Sequence, residues 1–285
     1  MSDGGTVQIT TGLVRRLVDE QFPEWAGLPL SLVDPAGSDH VIHRLGPGLS
    51  VRLPRHEGAI GQAAKELEWL PKLAPHLPLA VPVPVAVGKP GSGYPWHWAV
   101  ARWMDGEPAT RALDSVATAQ TLAGFLRALQ ELPVDAAPTG NDGLAARDRS
   151  TRAAIVRAAD AFDATAMTRL WDAAVAAPGW ERPPVWFHGD FHTGNLLTGN
   201  GRVSAVIDFG GLGAGDPAVD LMMAFTLMSA RTRPAFRAAL AVDDATWLRG
   251  RGWALSAGLI AYTAYAATDP HIAAATTYQI TQALD

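Results

Sequence analysis

The run His188-Gly189-Asp190-Phe191-His192-Thr193-Gly194-Asn195 places a carboxylate four residues ahead of a Gly-Asn pair, and Asp208-Phe209-Gly210 follows thirteen residues after the Asn. Moving a phosphoryl group off a nucleotide needs such a set. One carboxylate holds the accepting hydroxyl, and a carboxylate with an amide holds the magnesium ions that bridge the phosphates. Asp190 suits the first task; Asn195 and Asp208 suit the second, because Mg²⁺ prefers hard oxygen ligands and keeps places for phosphate and water. Two other readings compete. Alternating His188, Asp190 and His192 resemble transition-metal ligands of a hydrolase, but that reading uses neither Asn195 nor Ile207-Asp208-Phe209-Gly210. A plain loop of turn residues explains the glycines but not four polar positions and a second motif at this spacing.

These residues must be positioned by the elements around them. Pro184–Phe187 reads as a strand leading into the loop. Leu196–Thr198 and Val203–Ile207 read as a hairpin, because the Asn200-Gly201 step between them is a strong turn signal. A tight hairpin is expected to bring Asn195 and Asp208 side by side. Upstream, Leu28–Val33, His40–Leu45, Leu49–Leu53 and Trp96–Met104 read as strands, with Val81–Val87 leading into the last. Thr11–Glu20 and Ala59–Leu73 carry helical spacing. Asp105-Gly106-Glu107-Pro108 breaks this pattern, and the boundary is set there: residues 1–104 form one lobe and 105–285 another. Helices dominate the second: Ser115–Leu132, Ser150–Ala176, Pro217–Ser229, Arg233–Ala241, Asp244–Ala266 and His271–Leu284, with Asp114, Asp216 and Asp243 at N-cap positions.

The composition of the 285 residues is globular, with 48% hydrophobic and 18% charged side chains. Cysteine is absent, which excludes disulfides and thiolate-bound zinc. The first residues lack a basic stretch followed by an apolar core, and no apolar run reaches a bilayer-spanning length, so a cytoplasmic protein without a membrane partner is expected. Net charge is -5. Nothing resembles a basic nucleic-acid footprint, so no nucleic-acid partner is expected.

His188-Gly189-Asp190-x-His192-x-x-Asn195 with Ile207-Asp208-Phe209-Gly210 resembles the catalytic core of the aminoglycoside phosphotransferase family. Gly215-Asp216-Pro217-x-x-Asp220 resembles its next block, and Val51-Arg52-Leu53-Pro54 with Lys65-Glu66 its small lobe. The resemblance is dense over 186–220 and loose beyond 230. It implies an α+β, protein-kinase-like bilobal fold with a small mostly-β N-terminal lobe and a larger mostly helical C-terminal lobe. It implies a kinase that moves the γ-phosphate of ATP or GTP, with Mg²⁺, to a hydroxyl of a small molecule such as an antibiotic. A metabolic alcohol as acceptor, or a nucleotide-binding regulatory pseudokinase, are the alternatives. A protein kinase fits less well, since no Arg stands between His188 and Asp190 and no Ala-Pro-Glu follows.

In that picture Asp190 is the catalytic carboxylate and Asn195 and Asp208 the metal ligands. His188 and Asp220 are structural, and His192 and Asp269 are candidates for touching the acceptor. Relatives use lysine on the third strand to pair the phosphates; here Arg52 holds the place, with Glu66 as its expected partner and Glu68 as the competitor. Ser38 belongs to the loop over the phosphates, and Trp103 and Met104 to the hinge against the base.

Charge gives little help with the acceptor. Residues 1–104 carry nine acids and nine bases, and 105–285 carry nineteen and fourteen. Four of those nineteen, Asp190, Asp208, Asp216 and Asp220, belong to the motifs. Without them the second lobe is close to neutral, which weakens the case for a polycationic acceptor.

Overall fold

Val51, Arg52 and Leu53 alternate between the two faces of one strand, and each face meets a different helix. The computed structural model describes residues 8–33, 39–138, 140 and 142–285. Its chain divides into two units, the first comprising Met1–Pro75, Ala80–Asp105 and Ala205–Gly210. Among the described residues this unit holds a five-stranded antiparallel sheet of β1 (Leu30–Leu32), β2 (His40–Leu45), β3 (Leu49–Pro54), β4 (Pro84–Gly88) and β5 (Trp98–Arg102), in the order β1-β2-β3-β5-β4. Val51 and Leu53 of the central strand pack with Leu13, Val14, Leu17 and Val18 of α1 (Thr11–Gln21), together with Tyr94, Trp98 and Val100. Each such aliphatic side chain contributes about 1.5–3 kcal/mol by leaving water.

Arg52 lies between them and therefore points to the other face, where α2 (Ile60–Leu73) presents Ala63, Glu66, Trp69, Leu70 and Leu73 as its buried stripe. A carboxylate stands in that apolar stripe at the position that faces Arg52. Pro71 sits inside α2, but the helix still reaches Leu73, because the lost amide falls in its last turn.

The second unit comprises His76–Leu79, Gly106–Ser204 and Gly211–Asp285. Its strands are short: β6 (Glu107–Pro108), β7 (Val185–Phe187), β8 (Leu196–Gly199), the start of β9 (Arg202–Val206) and β10 (Gly213–Gly215). β7 pairs with β10, and β8 lies between β6 and β9. Asn200 and Gly201 form the two-residue turn between β8 and β9, both with positive φ (53° and 73°), as the Asn-Gly step predicts.

The helices of this unit are α3 (Val116–Gln130), α4 (Asp148–Arg157), α5 (Ala164–Ala176), α6 (Met223–Thr226), α7 (Arg233–Leu240), α8 (Asp244–Tyr265) and α9 (Pro270–Leu284). The α+β class expected from the sequence is therefore observed. Three local expectations are corrected. The single helix over 150–176 is two, because α4 stops at Ala158 and Asp163 starts α5 by accepting from the amides of Thr165 and Ala166. The helix over 217–229 is a 3-10 turn, Pro217–Met222, followed by the single turn of α6. The N-cap of α3 is Ser115, not Asp114; Asp114 instead accepts from the Ser229 amide and the Thr232 hydroxyl, tying α3 to a distant loop. Asp216 and Asp243 are caps as expected.

α8 packs against α4, α5 and α9. Small residues on it permit the close approach: a Cβ at Gly252 would lie 2.5 Å from Ala174 Cβ and 2.9 Å from a Leu144 methyl. In an exposed helix Gly→Ala gains about 1 kcal/mol. At Gly252 overpacking opposes that gain at about 1–3 kcal/mol, because Ala174 Cβ is fixed to the α5 backbone. Gly252→Ala is therefore expected to lower the thermal midpoint, as scanning calorimetry would show.

Candidate active site

In the first unit, Arg52 Nη1 donates to Glu66 Oε2 at 2.7 Å, and Nη2 lies 3.5 Å from Asp208 Oδ1. Arg52 and Glu66 are buried, whereas Asp208 is partly exposed. Glu68 is turned away, 3.7 Å from Lys72. Burial opposes charge on Arg52, but Glu66 and then Asp208 outweigh it and raise its pKa. Burial pushes the Glu66 carboxyl up while Arg52 pulls it back. Guanidinium stays charged in proteins, and removing one partner of such a buried pair costs about 3–5 kcal/mol. The second oxygen of Glu66, Oε1, is buried without a hydrogen bond, which leaves Arg52 as its counter-charge.

The Asp208–Gly210 turn is held from α2 a second time, by Lys65 Nζ donating to the Gly210 carbonyl at 2.5 Å. Asp208 adopts φ 65°, a left-handed conformation that Asp tolerates better than most residues and that clusters at functional positions. His40 lies beside this group; burial first, then Arg52, lowers its pKa to about 4, so it is neutral near pH 7.

In the second unit, the loop after β7 hangs from one carboxylate. Asp220 accepts from the amides of His188 (2.7 Å) and Gly189 (2.8 Å) and is fully buried. Gly189 has φ 87°, and a Cβ there would lie 2.2 Å from the Gly211 carbonyl oxygen, so only glycine fits. The Asp190 amide then donates to His188 Nδ1 at 3.2 Å. Phe191 is buried and stacks on Phe125 of α3, with ring centroids 5.7 Å apart. His192 caps the turn Thr193–Asn195 through Nδ1, which accepts from the Gly194 amide. That leaves Nε2 to carry the proton toward Asp190 Oδ2, 3.4 Å away.

Asn195 Nδ2 donates to the Asp190 carbonyl (2.9 Å) and to Oδ2 (3.0 Å). Both partners are acceptors, which sets the amide's orientation and leaves its carbonyl oxygen for a cation. Burial pushes the Asp190 carboxyl up, but His192, His188 and Asn195 outweigh it and hold it below the ordinary carboxylate value. Asp190 is thus an ionised, partly exposed acceptor in a fixed orientation.

The profile of the phosphotransferase enzyme family matches residues 34–253, most of the chain. The chain belongs to that family. Solved structures show the same fold at low identity. The GDP complex of aminoglycoside 2'-phosphotransferase-IIIa superposes with a TM-score of 0.71 at 18% identity, over 96% of this chain and 99% of that one. The apoenzyme of macrolide 2'-phosphotransferase MphH from Brachybacterium faecium gives 0.62 at 22%, over 95% and 97%. The streptomycin–ATP complex of APH(2")-IIa gives 0.59 at 15%, over 97% of each. No curated protein sequence matches the chain.

The remaining candidates of this phosphotransferase are placed as follows. Trp103 and Met104 directly follow β5 and are half-buried; the Trp103 amide donates to the Gly48 carbonyl, and Arg44 lies 4.8 Å over its ring. Ser38 lies outside the described residues. Asp269 caps α9, accepting from the amides of His271 and Ile272. Asp216 both caps its turn and pairs with buried Arg249 at 2.7 and 3.1 Å. His188 Nδ1 is engaged by the Asp190 amide, which does not suit the alternating metal-ligand reading. Among the described residues no three His, Asp or Glu side chains gather as a metal cage. Lys65 enters the sequence analysis only beside Glu66 in the small-lobe resemblance; its bond to the Gly210 carbonyl, and the place of His40 beside Arg52, depend on packing that the local sequence does not signal.

Burial pushes Asp220 up to about 7, against the pull of its two amide donors. Its unfolded value is about 3.9. The folded chain therefore binds this proton more tightly, and the contribution is full below about pH 4 and lost as pH rises to about 7, at about 1.4 kcal/mol per unit. Asp220→Asn cannot titrate. The gap in thermal midpoint between wild type and this variant is expected to narrow as pH is raised across that window; a constant gap would contradict the assignment.

Proposed function

We propose that this phosphotransferase moves the γ-phosphate of ATP or GTP to a hydroxyl of a small molecule, an antibiotic being the best-supported class. The observation that carries the reading is the Asp190 carboxylate, ionised, partly exposed and fixed by Asn195 and His192. Family membership supports the reaction class. Structural relatives have been solved with GDP, and with streptomycin and ATP, which supports a nucleotide donor and an antibiotic acceptor.

Asp190 accepts the hydrogen bond of the acceptor hydroxyl and aims its oxygen at the γ-phosphorus. The new oxygen–phosphorus bond forms as the bond to the β-phosphate oxygen breaks, and the nucleoside diphosphate leaves. The hydroxyl proton passes to Asp190 late, since a carboxylate with a low pKa is a weak base but a good orienting group. Asn195 Oδ1 and the Asp208 carboxylate are hard oxygen donors of the kind that would hold Mg²⁺. Bound there, Mg²⁺ would neutralise charge on the transferring group. Arg52, steadied by Glu66, contacts the donor's phosphates in place of a lysine. Trp103 and Met104 line the base. No helix of the described residues is long and apolar enough to cross a membrane. A cytoplasmic setting matches the nucleotide requirement.

Asp190→Asn is expected to lower kcat about 10²–10⁴-fold, with nucleotide affinity retained in calorimetric titration. Normal turnover by this variant would remove Asp190 from the mechanism. Arg52→Lys keeps the charge but loses the fork that spans Glu66 and Asp208. It should raise the nucleotide KM, and an unchanged KM and kcat would assign the phosphates to another cation.

A further inference from the structure

Arg147 closes the 3-10 turn Leu144–Arg147 that leads into α4. Its Nε donates to Ser256 Oγ at 2.8 Å, and Thr151 Oγ1 lies 2.8 Å from the same oxygen. Ser256 and Thr151 are fully buried, so the clamp is rigid. The guanidinium carbon lies 5.3 Å over the Trp253 ring. These contacts use one of five N–H donors. Among the described residues the two Nη groups have no acceptor, no carboxylate forms an ion pair with them, and they are not sealed from solvent. The adjacent acid, Asp148, is committed elsewhere, to Trp171 Nε1 at 2.8 Å and Arg152 at 2.9 Å. Desolvation opposes the charge, and the carboxylate whose field supports it is that of Asp190.

A half-buried guanidinium with a fixed Nε edge and an open fork is preorganised for a partner with two oxygens. The ordering cost, which usually weakens such a contact, has already been met inside the fold.

We propose that Arg147 is an acceptor-binding residue, and that its fork receives a carboxylate or paired carbonyl oxygens carried beside the reacting hydroxyl. This rests on the reading that Asp190 holds that hydroxyl. It also narrows the acceptor class: an ammonium next to the hydroxyl would face the like charge of Arg147, so a polycation is disfavoured there.

The test uses the full chain with ATP, Mg²⁺ and hydroxyl probes of graded charge: kanamycin, erythromycin, glycerate and pantothenate. Transfer is expected to favour probes with a carboxylate or clustered carbonyls over kanamycin. For the best of these, Arg147→Gln should raise the acceptor KM about tenfold or more, the loss expected of a hydrogen bond to a charged group, while the nucleotide KM does not move. Arg147→Lys should fall between. Ser256→Ala keeps the charge and frees Nε; it should raise the acceptor KM to a smaller extent, and it serves where Arg147→Gln fails to fold. Preference for kanamycin, or an acceptor KM indifferent to both sites, overturns the proposal. Transfer to none of the probes, with Asp190-dependent ATP hydrolysis intact, overturns it too. If ATP is neither bound nor hydrolysed, the phosphotransfer reading itself fails.

Discussion

A carboxylate taken out of water must be given donors, and each unit of this enzyme is organised around one that has been. Glu66 and Asp220 are almost fully buried. Desolvation disfavours the charged form of each by several kcal/mol unless the partners are well placed. The solutions differ. Glu66 is matched by a full opposite charge, Arg52, and through it the Asp208 turn is drawn to α2. Asp220 is matched by two backbone amides, and those amides are the start of the loop that carries Asp190. The functional segments are thus the donors that satisfy buried acids, so their positions follow from the folding energetics of each unit.

Much of this was legible in the sequence wherever the relevant information is local. The Asn200-Gly201 turn, the caps at Asp216 and Asp243, and the strand alternation around Arg52 all follow from a few neighbouring residues. Glu66 rather than Glu68 could be chosen once the helical stripe through Ala63 and Leu70 was in phase. What escaped depends on long-range packing. Asp114 looks like a helix cap in sequence, but the Ser229 amide and the Thr232 hydroxyl compete for it and Ser115 takes the cap. The break between α4 and α5 contains no proline or glycine, so it reads as continuous helix until Asp163 is seen to start a new one. Nothing near Arg147 in sequence announces Ser256 or Trp253, more than a hundred residues away.

The acidic balance of residues 105–285 also reads differently with the structure in hand. Asp163, Asp216, Asp243 and Asp269 cap helices or turns, Asp220 is buried, and Asp148 and Asp172 pair with Arg152. Acids committed to amides and arginines within the fold project little field toward a ligand. The surplus of negative charge is mostly an architectural quantity, and it says little about the acceptor.

The division of the chain has a consequence for how such enzymes can diversify. Ala205–Gly210 belongs to the first unit, although the residues on either side of it belong to the second. No single cut in the backbone separates the two units, and a fragment ending near residue 105 would lack Asp208. Recombination between relatives that exchanged one contiguous half would therefore split the Arg52–Glu66–Asp208 group between two ancestries. Productive shuffling must carry a six-residue cassette along with the distant strand and helix that it packs against.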